Sequence, residues 1–234
     1  MDVAVLIPAH NEAARIAETV RAAADIPGVT SVVVVDDGSE DDTGRLAEEA
    51  GAKVVRLFGN RGKGAALEAG AARVAGADFV LLLDADLGKT ASQGALLLAP
   101  LLADEADMSV AMFPAATGKA GFGLVKGLAR WGIARLGGGL HAHAPLSGQR
   151  GLTRACLATV RPFFAGYGAE VGLSIRALRS GMRLAEIPTT MAHSATGRDL
   201  GGFVHRGRQF AHVAGALIAL ASQPDPPRRS GHEL

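Results

Sequence analysis

Val32-Val33-Val34-Val35 runs directly into Asp36-Asp37-Gly38-Ser39. Four consecutive β-branched residues with no polar alternation describe a strand covered on both faces, as in a parallel sheet between layers of helices. Asp-Asp-Gly-Ser stops the strand and turns the chain, and a helix is expected from about Thr43 to Ala50. The same unit recurs on either side. Upstream, Val3–Ile7 is an apolar run closed by Pro8, and an Ala-rich helix is expected from Asn11-Glu12 to about Ala24. Downstream, Lys53–Leu57 and Phe79–Leu83 read as strands separated by a helix over Gly62–Ala75. Four such alternations with short connections predict an α/β fold with an open, mostly parallel sheet flanked by helices.

The remainder is less regular. A helix around Thr90–Ala103 is interrupted by Pro100, and Met108–Met112 reads as a strand. A glycine-rich stretch over 113–144 holds one expected helix near Leu124–Leu136. Further helices are expected at Arg154–Val160, Glu170–Ser180 and Phe203–Ala221, with a strand at Leu184–Ile187.

Composition narrows the function classes. With 48% hydrophobic and 20% charged residues among 234, the chain can bury a full core, which excludes global disorder. The single cysteine, Cys156, excludes a disulfide framework and suits a reducing, cytoplasmic setting; in its apolar helix it is expected to pack. Met1-Asp2-Val3 has no basic segment ahead of its apolar run, so no signal peptide is expected. No apolar run reaches the roughly 20 residues that span a bilayer. Aromatic residues make up only 4% and do not interleave with basic ones, which argues against nucleic acid. The net charge of +1 conceals a division: residues 1–107 carry 18 acidic and 9 basic groups, residues 108–234 carry 5 acidic and 15 basic.

In a doubly wound sheet, ligands sit beyond the carboxyl ends of the strands. Polar segments fall there repeatedly: Pro8-Ala9-His10-Asn11-Glu12, Asp36-Asp37-Gly38-Ser39, Gly59-Asn60-Arg61-Gly62-Lys63-Gly64 and Asp84-Ala85-Asp86. Neither a Gly-x-Gly-x-x-Gly after the first strand nor a Walker pattern is present, which excludes a dinucleotide fold and a P-loop. Asp84 and Asp86, two carboxylates leaving a buried run, repel each other unless a cation lies beside them. Hard oxygen ligands favour Mg²⁺ or Mn²⁺.

Residues 7–12, 34–39, 60–64 and 83–86 resemble, in order and spacing, the successive signatures of family 2 glycosyltransferases with the GT-A fold. The resemblance covers about the first 90 residues and implies a nucleoside-diphosphate-sugar donor, UDP- or GDP-linked. It implies Pro8, Ala9, Glu12 and Asp37 around the base and ribose, and Lys63 near the nucleotide. Asp86 would lie on the metal that bridges the diphosphate, and Asp84 at the ribose or a metal-bound water. Gly166–Leu173 is similar to a segment of glucosyl-3-phosphoglycerate synthases, as are His193, Gly197-Arg198-Asp199-Leu200 and His205-Arg206-Gly207-Arg208-Gln209. That likeness implies His193 as a further metal ligand and basic residues against an anionic acceptor. Those enzymes are longer, and the spacing after the histidine differs. On this basis residues 1–112 form a nucleotide-sugar half, 113–222 an acceptor half of the same domain, and 223–234 a frayed tail.

A departing nucleoside diphosphate carries negative charge that cations stabilise. Lys63, Arg150, Arg198 and Arg206 are the candidates, whereas Arg176, Arg179 and Arg183 are expected on the solvated surface. Glu170, the only acidic residue between Asp107 and Glu186, is either the group that activates an acceptor hydroxyl or a carboxylate set against a helix N-terminus. Together with Asp86 it is the catalytic candidate. Gly148, within Pro145–Gly151, lines the cleft or merely turns the chain. Lys119–Gly123 is expected as a lid or acceptor loop, and His141 with His143 lacks an evident third ligand for a second metal. The anionic acceptor is a small phosphorylated acid of the phosphoglycerate type, or a polyprenyl phosphate at the membrane face. Peripheral membrane contact through the last helix and a homodimer are compatible with either. A sugar-phosphate nucleotidyltransferase would carry a Gly- and Arg-rich loop where His10-Asn11-Glu12 stands; a non-catalytic nucleotide-sugar binder is the remaining alternative.

Overall fold

The computed structural model describes residues 1–113, 123–192 and 201–224, the side chains of 201–206 excepted. Seven strands form one sheet: β1 (Val3–Ala9), β2 (Val29–Asp36), β3 (Lys53–Arg56), β4 (Phe79–Leu82), β5 (Met108–Met112), β6 (Arg150–Thr153) and β7 (Leu184–Pro188). Their spatial order is β3-β2-β1-β4-β6-β5-β7. All neighbours run parallel except β6, which is antiparallel to both β4 and β5. The helices among the described residues are α1 (Ile16–Ala24), α2 (Thr43–Glu49), α3 (Lys63–Val74), α4 (Gly94–Leu102), α5 (Gly123–Leu136), α6 (Arg154–Val160), α7 (Gly168–Arg179) and α8 (Gly201–Ala221). Strands from both sides of residue 112 share the sheet.

The valine run behaves as its composition requires. Val32 and Val34 pack on one face of the sheet, with Ile16, Val20 and Leu97, while Val33 and Val35 pack on the other, with Leu67 and Leu157. Full burial of such a side chain contributes about 1.5–3 kcal/mol, so β2 is anchored from both layers. β1 alternates in the same way, Val3, Val5 and Ile7 to the first face, Ala4 and Leu6 to the second. A third apolar cluster, with Val125, Ile133, Ile175, Val213 and Leu217, joins α5, α7 and α8.

Several boundaries differ from the sequence expectations for local reasons. β1 continues through Pro8 to Ala9, because pairing with β4 ends at Leu6 and a missing N–H costs nothing there. Asn11 adopts a φ of 55°, and α1 begins only at Ile16. The single helix expected over Thr90–Ala103 is a 3-10 turn, Gly88–Gln93, followed by α4; Pro100 sits inside α4, which ends two residues later. β6 begins at Arg150, inside the segment 145–151 expected either to line the cleft or to turn the chain. Arg176, Arg179 and Arg183 are not merely solvated. Arg176 stacks 4.6 Å from the Phe164 ring, Arg179 donates to the Leu136 and Leu220 carbonyls, and Arg183 pairs with Asp104 and Asp107.

Candidate active site

The one antiparallel strand decides what faces the rim. β1, β2 and β4 leave the sheet at one edge, and because β6 runs the other way, the loop entering it arrives at that same edge. A cleft of about 1100 Å³ opens there. Pro8, Ala9, Glu12, Asp37, Lys63, Asp84, Asp86, Gly148 and Glu170, drawn from separate parts of the chain, all line it.

Each carboxylate is held differently. Asp37, buried, accepts from the backbone N–H groups of Arg61 (2.9 Å) and Gly62 (2.7 Å), so it braces the loop before α3. Gly38 allows that loop its approach: at φ 72°, a Cβ there would lie 2.5 Å from the Gly59 backbone. Asp84 accepts from Lys63 Nζ at 2.7 Å and from Gln149 Nε2 at 2.7 Å, while Gln149 Oε1 receives the Asp84 N–H at 3.2 Å. Thr19, fully buried on α1, donates to the Ala85 carbonyl and accepts from the Gly88 N–H, both at 2.8 Å. It fixes the turn that carries Asp84 and Asp86.

Lys63 opens α3 and joins the two sides of the cleft. Its ammonium lies 2.7 Å from Asp84 Oδ1 and 3.0 Å from Glu170 Oε1. Burial works against the charge, but the two carboxylates outweigh it and hold the lysine above its ordinary range. Gly148 leaves room for the pair, since a Cβ there would fall 2.3 Å from Nζ and 3.1 Å from both Asp84 oxygens. Glu170, only 3% exposed, stands in the first turn of α7, and its Oε2 has no hydrogen-bond partner among the described residues. Burial, with the fields of Asp86, Asp41 and Asp84, pushes the Glu12 carboxyl upward. That excess of negative charge fits a divalent cation, and a hard oxygen donor, Asp86, lines the same cleft. No group of three metal-ligating side chains is assembled among the described residues.

Arg150 corrects a sequence expectation. Expected to meet phosphate, it is fully buried on β6. Its guanidinium donates to the Ser147 carbonyl (3.0 Å), the Glu170 carbonyl (2.9 Å) and Ser174 Oγ (3.0 Å). Burial pulls it down to about 10. Arg150 therefore positions Glu170 through the backbone and does not face the cleft. His193 and Arg198, the Arg206 side chain and the expected loop segment 119–122 lie outside the described residues. His143 bonds Glu186 through Nδ1 at 2.8 Å, and Cys156 is buried in α6. Thr19 and Gln149 were not singled out from sequence. Thr19 shares the buried stripe of α1 with Ile16, Val20 and Ala23, and a hydroxyl in such a stripe is a legible signal.

Sheet order, cleft and rim define a GT-A glycosyltransferase fold. Residues 4–133 match the model of glycosyl transferase family 2, and the chain belongs to that family. Among solved structures it is similar to glucosyl-3-phosphoglycerate synthase of Mycobacterium tuberculosis in complex with phosphoglyceric acid. The TM-score is 0.78 with 28% identity, covering 96% of this chain and 81% of that one. The same enzyme bound to Mn²⁺, UDP and glucosyl-3-phosphoglycerate aligns at 30% identity and TM-score 0.76, with the same coverage. By sequence, glycosyltransferase AglJ of Haloferax volcanii is 31% identical over 207 residues, 84% of this chain and 65% of that protein. The undecaprenyl-phosphate 4-deoxy-4-formamido-L-arabinose transferase of Pseudomonas aeruginosa is 40% identical over 95 residues, 36% of this chain and 28% of that protein. The chain thus spans less than two thirds of the length of these sequence relatives.

Proposed function

We propose that the cleft is the active centre of a metal-dependent glycosyltransferase that moves a sugar from a nucleoside-diphosphate donor to an anionic acceptor. One observation carries this: Lys63 ties the Asp84 end of β4 to Glu170 of α7 inside a cleft lined by all four rim segments. Pro8, Ala9, Glu12 and the loop braced by Asp37 hold the base and ribose. Asp84 bonds Lys63 and Gln149, and the metal-ligand role is assigned to Asp86, with His193 as its partner. A bound Mg²⁺ or Mn²⁺ supplies Lewis-acid stabilisation of the diphosphate leaving group. The solved relative holding Mn²⁺, UDP and glucosyl-3-phosphoglycerate supports that choice of metal and donor. As the acceptor hydroxyl bonds the anomeric carbon, the bond from that carbon to the diphosphate breaks. Glu170 Oε2 accepts the hydroxyl's proton in an inverting transfer and holds the hydroxyl in place in a retaining one. Arg198 and Arg206 are assigned to acceptor charge.

A phosphoglycerate-type acid is the first acceptor class, in line with the structural relatives. A polyprenyl phosphate is the second, favoured by the transferase relatives and by exposed Leu124, Trp131, Phe210 and Ile218 on α5 and α8. Among the described residues, no helix is long and apolar enough to cross a membrane. Calorimetry of UDP- and GDP-sugars with and without Mn²⁺ tests the proposal. Metal should tighten nucleotide binding, and Asp86→Ala or His193→Ala should abolish that increment. A wild-type chain whose nucleotide affinity ignores metal refutes the function.

A further inference from the structure

Beyond the four rim segments, the cleft lining carries three buried oxygens without partners among the described residues. Ser147 Oγ, Glu170 Oε2 and Gln209 Oε1 find no hydrogen bond among the described residues. Their residues are 7%, 3% and 2% exposed, and all three line the cleft. A buried polar atom left unmet costs about 1–3 kcal/mol, so three on one wall call for a ligand. The wall is also rigidly built. One guanidinium, Arg150, donates to the carbonyls of both Ser147 and Glu170. α8 approaches the start of α7 so closely that a Cβ at Gly166, in the turn before it, would lie 2.1 Å from His212 Nδ1, and one at Gly168 2.9 Å from the His212 carbonyl. Gln209 lies three residues before His212, on the same side of α8.

The donor and acceptor character of these atoms selects the ligand. A carboxylate oxygen and an amide oxygen only accept, and a serine hydroxyl can do either. Ser147 and the Gln209 amide can also donate, but the buried Glu170 carboxylate only accepts and repels phosphate. Hydroxyl groups bring the missing hydrogens. We infer that Ser147 and Gln209, beside Glu170, form a hydroxyl-recognition subsite. This rests on the proposed glycosyl transfer and assigns Ser147 and Gln209 a part in it. The hydroxyls belong to the transferred hexose or to the acceptor, and the two sources are separable.

The test uses the full chain with Mn²⁺ and three probes: bare UDP or GDP, the corresponding UDP-glucose or GDP-mannose, and 3-phosphoglycerate added to the nucleotide complex. Gln209→Leu and the double variant with Ser147→Ala should bind bare nucleotide as the wild type does. If the hexose is the occupant, the tightening that the sugar adds should fall about tenfold. If the acceptor is the occupant, 3-phosphoglycerate affinity should fall by that factor instead. Bare nucleotide bound normally, with sugar increment and acceptor affinity both unchanged in the double variant, would overturn the subsite. A wild type that binds no nucleotide overturns the transferase function, and the subsite with it.

Discussion

The two sides of the cleft are built by opposite means. On the rim of β1, β2 and β4, Asp37 is met by two backbone N–H groups and Asp84 by a lysine and an amide. On the facing wall, Ser147, Glu170 and Gln209 each keep a buried oxygen unmet. Asp37 and Asp84 are preorganised by their own chain, whereas the unmet oxygens of Ser147, Glu170 and Gln209 are left for what enters.

The sharpest way to break the contrast is at Glu170. Glu170→Gln should lower transfer by about 10²–10⁴-fold while nucleotide affinity stays near that of the wild type, read by steady-state turnover beside calorimetry. Full turnover would return Glu170 to a structural role. Gly148→Ala attacks the other side. The added methyl would displace Lys63 from Asp84, and nucleotide affinity should fall about tenfold or more, the value of a charge-assisted hydrogen bond. Thr19→Val keeps the shape of α1 but strands the Ala85 carbonyl and the Gly88 N–H. Stability should drop by about 1–3 kcal/mol in urea unfolding, and the metal-dependent part of nucleotide binding should weaken with it.

The smallest effect is expected at Glu186, the carboxylate with which the second half fixes its own loop. Burial pushes its carboxyl up, but the N–H groups of Ala144 and His143 and the His143 ring outweigh that and bring it below its ordinary 4.5. The folded value lies beneath the unfolded one. The stabilisation is therefore present above pH 4.5 and lost as pH falls through the lower folded value. Glu186→Gln should cost stability at neutral pH, and its unfolding curve should converge on the wild type in acid.

Much of the rim was legible because motif and register coincide there. Buried runs end in polar residues, so Asp37, Asp84 and Asp86 follow from where the strands stop. The facing wall was harder. β6 has only four residues, Arg-Gly-Leu-Thr, too few and too polar to show a period. Arg150 drew a phosphate role from its residue type, whereas its burial depends on partners contributed by α7. Gln149 gains its meaning from a bond to a residue 65 positions away, which local pattern cannot reveal. Thr19 and Gln209 left a usable trace, as polar residues set in otherwise apolar helix stripes.

The reversed direction of β6 also bears on how the molecule is made. The first four strands pair among themselves, so that part of the sheet can close while the chain is being synthesised. β5 pairs only with β6 and β7, both of them later in the chain. It must wait until residue 153 has emerged, and the strand that ends its wait also brings Gln149 to Asp84. The joining of β6 to the sheet and the bracing of Asp84 by Gln149 are thus one event, and a chain stopped short of β6 would carry its acidic rim without that brace.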